Sequence, residues 1–533
     1  MELFRAISSY INPAAIFAFL VLGIILLLFF GISKKQWVKV FSFILVLIFI
    51  AGAFVVNILG YSMSGAFSSS LFTSGAMEIF EIAIILFFSM VCLVVIFICN
   101  RKSEHFVRIM MIFLFLVISI MVLIISKNFM SFFISLECFL IAFFAISTIL
   151  NDGSITSEIE AAKERKIIFL QEGTSKSVAR FFLASVFFSV LLFFGFSILY
   201  GISDVKNFLQ LYQDIEASGI NIILSLIIIS IAFYLYLGIF PFQAPYISFT
   251  NKTEPSSKYL LWLFYFPAGA IALFKFIPII SILNQNSKAG NYILYILLMT
   301  ILAGSIGSGL AGLKTKSLKK TVSYLFSLII TGYFINMVLL IAGFIKEDRL
   351  DWLNIFYLFF IGSCFLPIAF IFSHIENVTK KDDINEISSL IYKDKITGIA
   401  YLISLLSLIG IPGFFGYTVK KYYFDVIINI FNNGIKGMLD IQGWLILIIL
   451  IVYIAAFTAI CLRLIIFSFI KKSSAIESNV NLKASRNFYI MICFFAVLVI
   501  FLGIIGLLET LNPDLNLFGI RITNSAVFIK ILK

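Results

Sequence analysis

The chain has 533 residues, 62% of them hydrophobic and 12% charged, with a mean hydropathy of +1.11. Such a chain is too apolar for a water-soluble domain and reads as an all-α, polytopic membrane protein solvated by lipid. Its net charge of +12 belongs to connecting loops, which excludes nucleic acid as a partner.

The opening MELFRAISSYINP has no basic leader followed by a small-residue cleavage site, so the first apolar run is expected to stay as a span. Runs of about 20 apolar residues fall near 13–32, 38–60, 79–99, 106–126, 129–150, 179–201, 221–249, 258–284, 291–313, 320–345, 352–374, 396–431, 441–470 and 487–509. That makes about 14 transmembrane helices. The six cysteines, Cys92, Cys99, Cys138, Cys364, Cys461 and Cys493, lie in or beside these runs without metal-ligand spacing and read as small core residues. Two histidines, His105 and His374, sit near loops, which argues against a haem or metal centre.

The loops KKQWVK (34–39), RKSEHFVR (101–108), KERK (163–166), KTKSLKK (314–320), KK (380–381) and KK (471–472) all fall on one side of this span pattern. That side holds about 25 basic residues against about 10 opposite, which makes it the cytoplasm or matrix. The charged stretch at 151–178 is expected to form a short amphipathic surface helix. YSMSGAFSSSLFTSGA (61–76) reads as a Ser/Gly linker.

Two long spans are interrupted. Span seven contains LGIFPF (237–242) with Pro241, and span twelve contains IGIPGF (409–414) with Gly410, Pro412 and Gly413, followed by Gly416. Paired interruptions in the two halves of a membrane protein point to the transport site of an inverted-repeat transporter. Two repeats of five helices would follow, spans four to eight and nine to thirteen. The expected divisions are 1–104 for three leading helices, 105–285 and 286–472 for the repeats, and 473–533 for helix fourteen and the tail.

Charges at membrane depth are costly and mark candidate functional residues. Glu137 lies in span five, Arg180 at the start of span six, Lys275 in span eight, Lys420, Lys421 and Asp425 behind the span-twelve break, and Arg463 in span thirteen. No Ser/His/Asp set, phosphate loop or carboxylate dyad accompanies them, so the pattern favours charge movement over bond-making chemistry. A buried lysine can release its proton because desolvation disfavours the charged form, whereas an arginine cannot.

LGIFPFQAPYISFTNKTEPSS (237–257), LKTKSLKKTVSYLFSLIITGYF (313–334), LIGIPGFFGYTVKKYYF (408–424) and SKSVARFFLASVFFSVLLFFGFSILYG (175–201) resemble the antiporter-like membrane subunits of respiratory complex I, above all those of the subunit N type. The resemblance runs in order from about 105 to about 470 and is weak in the first three spans. It implies that Glu137, Lys319, Lys420 and Arg463 belong to a hydrophilic axis along the middle of the membrane. It also shows departures. Tyr236 stands where the family has a lysine before the span-seven break, and the family's span-eight lysine falls in the apolar FYFPAGA (264–270). Arg180 meets the span-six lysine and Ile330 the span-ten histidine. Lys275 could replace the span-eight lysine, but its place far along the helix suits a side chain reaching for the headgroups.

Three residue readings follow. Lys420 is expected beside a hydrated cavity, Lys421 paired with Asp425, and Arg180 close enough to Glu137 to compensate it, with Tyr236 bonded into that cluster. The resemblance implies a proton-translocating subunit of NADH:quinone oxidoreductase, an enzyme only as part of that assembly. It would lie in a mitochondrial inner membrane or a bacterial plasma membrane, in a hetero-oligomer with other membrane-arm subunits and with lipids, cardiolipin among them. No cofactor is expected in this chain; NADH, FMN, iron–sulfur clusters and quinone would sit in partner subunits. A structural membrane-arm subunit with a degraded proton path stays open, as does a subunit of a cation/proton antiporter or membrane-bound hydrogenase.

The charge pattern makes a direct topological prediction. Cysteines introduced at Ser69 and Ser317 are expected to react with an impermeant thiol reagent from opposite faces, and reaction of both from one face would overturn the span order.

Overall fold

The computed structural model describes residues 13–30, 36–64, 67–68, 73–74, 76–100, 103–165, 171–202, 220–239, 241–276, 288–342, 361–379, 381–388, 390–435, 441–469 and 486–511. Several basic loop residues used above, among them Arg101, Lys166, Lys380, Lys471 and Lys472, lie outside them. Lipid offers no partner for a backbone N–H or C=O, so apolar runs of this length can only be helices. Among the described residues, eleven helices are long and apolar enough to cross a membrane. Three further apolar helices are shorter: Ile16–Phe29, Leu224–Leu237 and Lys395–Ile409. The last two are short because the expected breaks end them.

One compact unit comprises Met1–Leu237 and Lys252–Asn286. It contains α1 (Pro13–Phe30), α2 (Gln36–Ser64), α3 (Ala76–Asn100), α4 (Phe106–Ile125), α5 (Phe129–Arg165), α6 (Gln171–Ile202), α7 (Ile220–Leu237), α9 (Pro255–Leu260) and α10 (Phe266–Phe274). Helix α4 is its centre, packed by α1, α2, α3, α5 and α10, and most of its side chains are buried. The outer faces of α5 and α6 present Ile141, Leu183, Phe187 and Val190, the exposed apolar surface that a lipid-facing helix carries. The Ser/Gly stretch holds a two-residue antiparallel ladder, β1 (Phe67–Ser68) with β2 (Thr73–Ser74). The expected separate surface helix is not separate: α5 runs unbroken through Asn151 to Arg165.

The second unit comprises Gly238–Asn251 and Ser287–Ile531. It contains α8 (Ala244–Lys252, all but its last residue), α11 (Lys288–Lys314), α12 (Leu318–Ile341), α13 (Leu366–Thr379), α14 (Leu390–Lys393), α15 (Lys395–Ile409), α16 (Phe415–Ile435), α17 (Ile441–Phe469) and α18 (Arg486–Leu511). Helix α12 is almost wholly buried. Helix α11 packs on α12 and α17, and α18 covers α15 and α16.

Spans eight and eleven each contain a π-helical turn, at Leu261–Tyr265 and Ile361–Phe365. Each is followed by an interior proline, Pro267 or Pro367. Proline has no N–H and clashes with the carbonyl four residues earlier, and the wider π register relieves both problems without ending the helix. The interior prolines were the sequence signal for these turns.

One side of the span-twelve break is packed by protein. Gly410 and Gly413 have φ of 89° and 95°, a region that favours glycine. Helix α18 approaches so closely that a Cβ at Gly503 would collide with the Gly413 carbonyl and the Phe414 backbone. Gly503→Ala is therefore expected to destabilise the chain by about 1–3 kcal/mol, the usual cost of overpacking. Thermal unfolding in mild detergent checks this, and an unchanged midpoint would count against the close approach.

Candidate functional site

The span-twelve break ends α15 at Gly410, whose N–H bonds to the carbonyls of Leu406 and Ser407, while Ile411 N–H also reaches Leu406. The carbonyls of Leu408 and Ile409 are left over, as at any helix C-terminus. Lys420, in the second turn of α16, turns back and donates to both, at 2.5 and 3.3 Å. Its side chain is 1% exposed. Its ammonium also lies 3.8 Å from the centre of the Phe457 ring, an attractive cation–π contact. Carbonyl groups, ring face and the negative end of the α15 dipole all favour positive charge at this point.

Gly410 makes this possible in two ways. It accepts the left-handed backbone, and a Cβ there would stand 2.8 Å from Lys420 Cδ. Ser407 fastens the two half-helices together, because its Oγ accepts from Gly416 N–H at 2.9 Å and lies 3.1 Å from Cys364 Sγ. Pro412 is exposed at the break, as is Pro241 in the span-seven turn. That turn starts at Gly238, with φ of 63°, and closes with Phe242 N–H on the Ile239 carbonyl.

Lys421 is half-buried, Asp425 is exposed, and no ion pair joins them, which corrects the expected pairing. A lysine preceding an acidic residue by four is the weaker order on a helix. Lys319 is ion-paired with Glu376 of α13 at 2.5 Å, both side chains about a quarter exposed. Asp382 and Ser317 bond to each other and accept from the backbone N–H groups of Lys319 and Lys320 in the first turn of α12.

Glu137, in the first unit, accepts a hydrogen bond from Ser189 of α6. Ser185, one turn earlier on the same face, bonds to the Tyr265 hydroxyl at 3.0 Å. The Tyr236 hydroxyl donates to the Tyr265 carbonyl at 2.9 Å, and the two rings stack 4.2 Å apart at 3°. Tyr236 thus enters the polar cluster through Tyr265. Gly269 of α10 leaves room for the Tyr236 ring, where a Cβ would collide. Arg180 does not take part. It is exposed, and it precedes Ser189 by nine residues, about two and a half turns. That sets it on the opposite face of α6 and about 13 Å along the axis, so the expected compensation of Glu137 by Arg180 fails for reasons of helix phase.

Lys275 stands apart from this cluster as well. Its ammonium donates to the Ile124 carbonyl at 2.8 Å and to the Ser126 carbonyl and hydroxyl at 2.5 and 3.2 Å. Three donors meet three acceptors, so Lys275 caps the C-terminus of α4 rather than reaching for headgroups. Arg463 does the same for α11, donating to the carbonyls of Gly312 and Thr315 at 2.9 and 2.8 Å.

Sequence reasoning missed Ser185, Ser189 and Tyr265. Their signal was a pair of serines one turn apart inside a lipid-length run and a tyrosine one turn after the start of an aromatic stretch. It also passed over Lys258, a lysine only 5% exposed in the first turns of span eight. Among the described residues, no group of three His, Cys, Asp or Glu side chains could hold a metal ion.

The model of the NADH:quinone oxidoreductase/Mrp antiporter transmembrane family matches residues 126–435. Subunit N of the NADH-quinone oxidoreductase of Pelagibacter ubique is 23% identical over 382 residues, covering 70% of this chain and 71% of that protein. A chain of respiratory complex I from Thermus thermophilus superposes with a TM-score of 0.67 at 15% identity, over 93% of this chain and 98% of its own length. A chain of the Mrp complex from Dietzia sp. superposes with a TM-score of 0.69 at 12% identity, over the full length of both. At these identities the structural likenesses establish the fold. Because the family model spans more than half of its residues, broken helices and Lys420 included, the chain belongs to the NADH:quinone oxidoreductase/Mrp antiporter transmembrane family.

Proposed function

We propose that the chain is a proton-translocating, antiporter-like subunit in the membrane arm of a NADH:quinone oxidoreductase, and that Lys420 takes up and releases the proton in its second unit. The observation that carries this reading is a buried ammonium held, among the described residues, by two carbonyl oxygens and a ring face at the end of a broken helix. Among the described residues, no carboxylate forms an ion pair with this charge. It therefore responds strongly to any change of charge or hydration nearby, which is the property a switchable proton carrier needs. The name of the Pelagibacter relative supports the assembly.

In this reading the redox step, with NADH, FMN, iron–sulfur clusters and quinone, belongs to partner subunits, and this chain supplies only proton movement. Its lipid-facing helices would contact cardiolipin and other lipids. A bacterial relative favours a bacterial plasma membrane over a mitochondrial inner membrane. Two five-helix repeats, 105–285 and 286–472, are supported by the two C-terminal caps: Lys275 of span eight closes span four, and Arg463 of span thirteen closes span nine. The first unit has Glu137 and hydroxyls but no cation joined to Glu137 among the described residues, which supports a smaller share of conduction there.

Two measurements test this. Lys420→Ala is expected to slow proton pumping by roughly 10² or more, the usual effect of removing a positioned proton donor, with the subunit still assembled. Unchanged pumping per NADH oxidised would refute the role of Lys420. Arg180→Ala is expected to leave pumping as it is, because Arg180 faces away from Glu137. A loss as large as that of Glu137→Gln would restore the rejected pairing.

A further inference from the structure

Three polar side chains from three different elements of the second unit converge. Gln243, from the turn at the span-seven break, accepts through Oε1 from Ser308 of α11 at 3.1 Å and from Ser327 of α12 at 3.3 Å. The two serine hydroxyls are 3.0 Å from each other, and both residues are almost fully buried, at 0% and 2% exposure. Serine inside a membrane helix ordinarily satisfies itself by bonding back to its own helix, as Ser305 does to Ile301. Ser308 and Ser327 instead turn their hydroxyls outward, toward each other and toward a glutamine that only a broken helix could deliver.

One turn before Ser327, Ser323 bonds across to Thr250 of α8 at 2.5 Å. One turn before that stands Lys319, ion-paired with Glu376 at the end of α12 that carries the exposed Lys316 and Lys320. One turn beyond Ser327, the buried Thr331 bonds to the Ser327 carbonyl. Lys319, Ser323, Ser327 and Thr331 thus mark one side of α12 at steps of about 6 Å, reaching about 18 Å into the membrane, more than half of a core about 30 Å thick.

We propose that Glu376 and Lys319, Ser323 with Thr250, and Ser308 with Ser327 form a proton-entry route from the basic end of the second unit to the turn at the span-seven break, with Gln243 as the residue that positions the two serines. This rests on the proton-translocating reading above and adds the route by which the proton arrives. A hydroxyl can accept one hydrogen bond while donating another. A proton taken up at Glu376 therefore moves inward as each hydroxyl accepts one proton and passes its own to the next oxygen. Waters bridge the steps of about 6 Å, which exceed one hydrogen bond. Lys319 keeps its protons and holds the Glu376 carboxylate by their ion pair, so only O–H bonds form and break, and one proton leaves the inner end for each that enters. Gln243 carries no proton itself. Its carbonyl oxygen fixes where the serine hydroxyls point.

The test uses the assembled oxidoreductase in sealed membrane vesicles, reading protons pumped per NADH oxidised against the amount of assembled complex. Ser327→Thr and Ser327→Val have nearly the same shape and differ in the hydroxyl. The threonine variant is expected to pump as the native complex does, and the valine variant to fall by roughly fivefold, the factor that corresponds to one hydrogen bond. Ser308→Ala, which shrinks the side chain and adds no bulk, is expected to fall likewise and decides the matter if residue 327 tolerates neither larger side chain. Equal pumping by the Thr and Val variants, or native pumping by Ser308→Ala, would overturn the route. Lys420→Ala, run in parallel, separates the two ideas: if it alone lowers pumping, the route fails and the function stands, and if it does not, the function fails first.

Discussion

A helix that ends inside a bilayer leaves carbonyl oxygens without donors, and a cation inside a bilayer has no water to solvate it. In this chain each difficulty answers the other. At depth, Lys420 closes the half-helix that stops at Gly410, and at the ends of two full-length spans Lys275 closes α4 and Arg463 closes α11 in the same way. Among the described residues none of the three makes an ion pair with a carboxylate; each is held by backbone oxygens, and Lys275 by the Ser126 hydroxyl as well. The architecture around them depends on this, since the broken helix could not stop at depth without a donor to take its last carbonyls.

The three differ in what surrounds the cation. Lys275 meets three oxygens for its three protons, and Arg463 is a guanidinium that keeps its charge. Both suit a fixed support. Lys420 has two backbone oxygens and a ring face, that of Phe457, with the thiols of Cys364 and Cys461 near it. Its charge is therefore held less completely, which is what the proposed proton-carrying role of Lys420 asks of the same capping geometry.

The first unit solves a related problem without a lysine. Glu137 is met by a serine hydroxyl, and Tyr236, at the position where the resembling family has a lysine, stacks on Tyr265 and is joined to it through one hydroxyl and one carbonyl. Stacking brings aromatic surface together, and the hydroxyl ends keep the cluster polar. Arg180 shows why nearness in sequence is a poor guide to partnership on a helix. Nine residues carry a side chain to the far face of α6, where lipid and headgroups can solvate the guanidinium and Glu137 cannot reach it.

By itself the sequence determined the membrane class, the order of spans and the two interruptions, because these follow from local composition: apolar runs must be helices in lipid, and Gly410, Pro412 and Gly413 cannot continue one. It also marked Lys420 as a residue that needed an explanation. The partners of each polar group were decided only by tertiary structure. Lys420 found carbonyls twelve and eleven residues behind it, Lys275 found an end of a helix in another part of the chain, and Gln243 found two serines from different spans. Such pairings depend on the phase and packing of whole helices, where a shift of one residue turns a side chain by about 100°, and no local pattern of residue types encodes that angle.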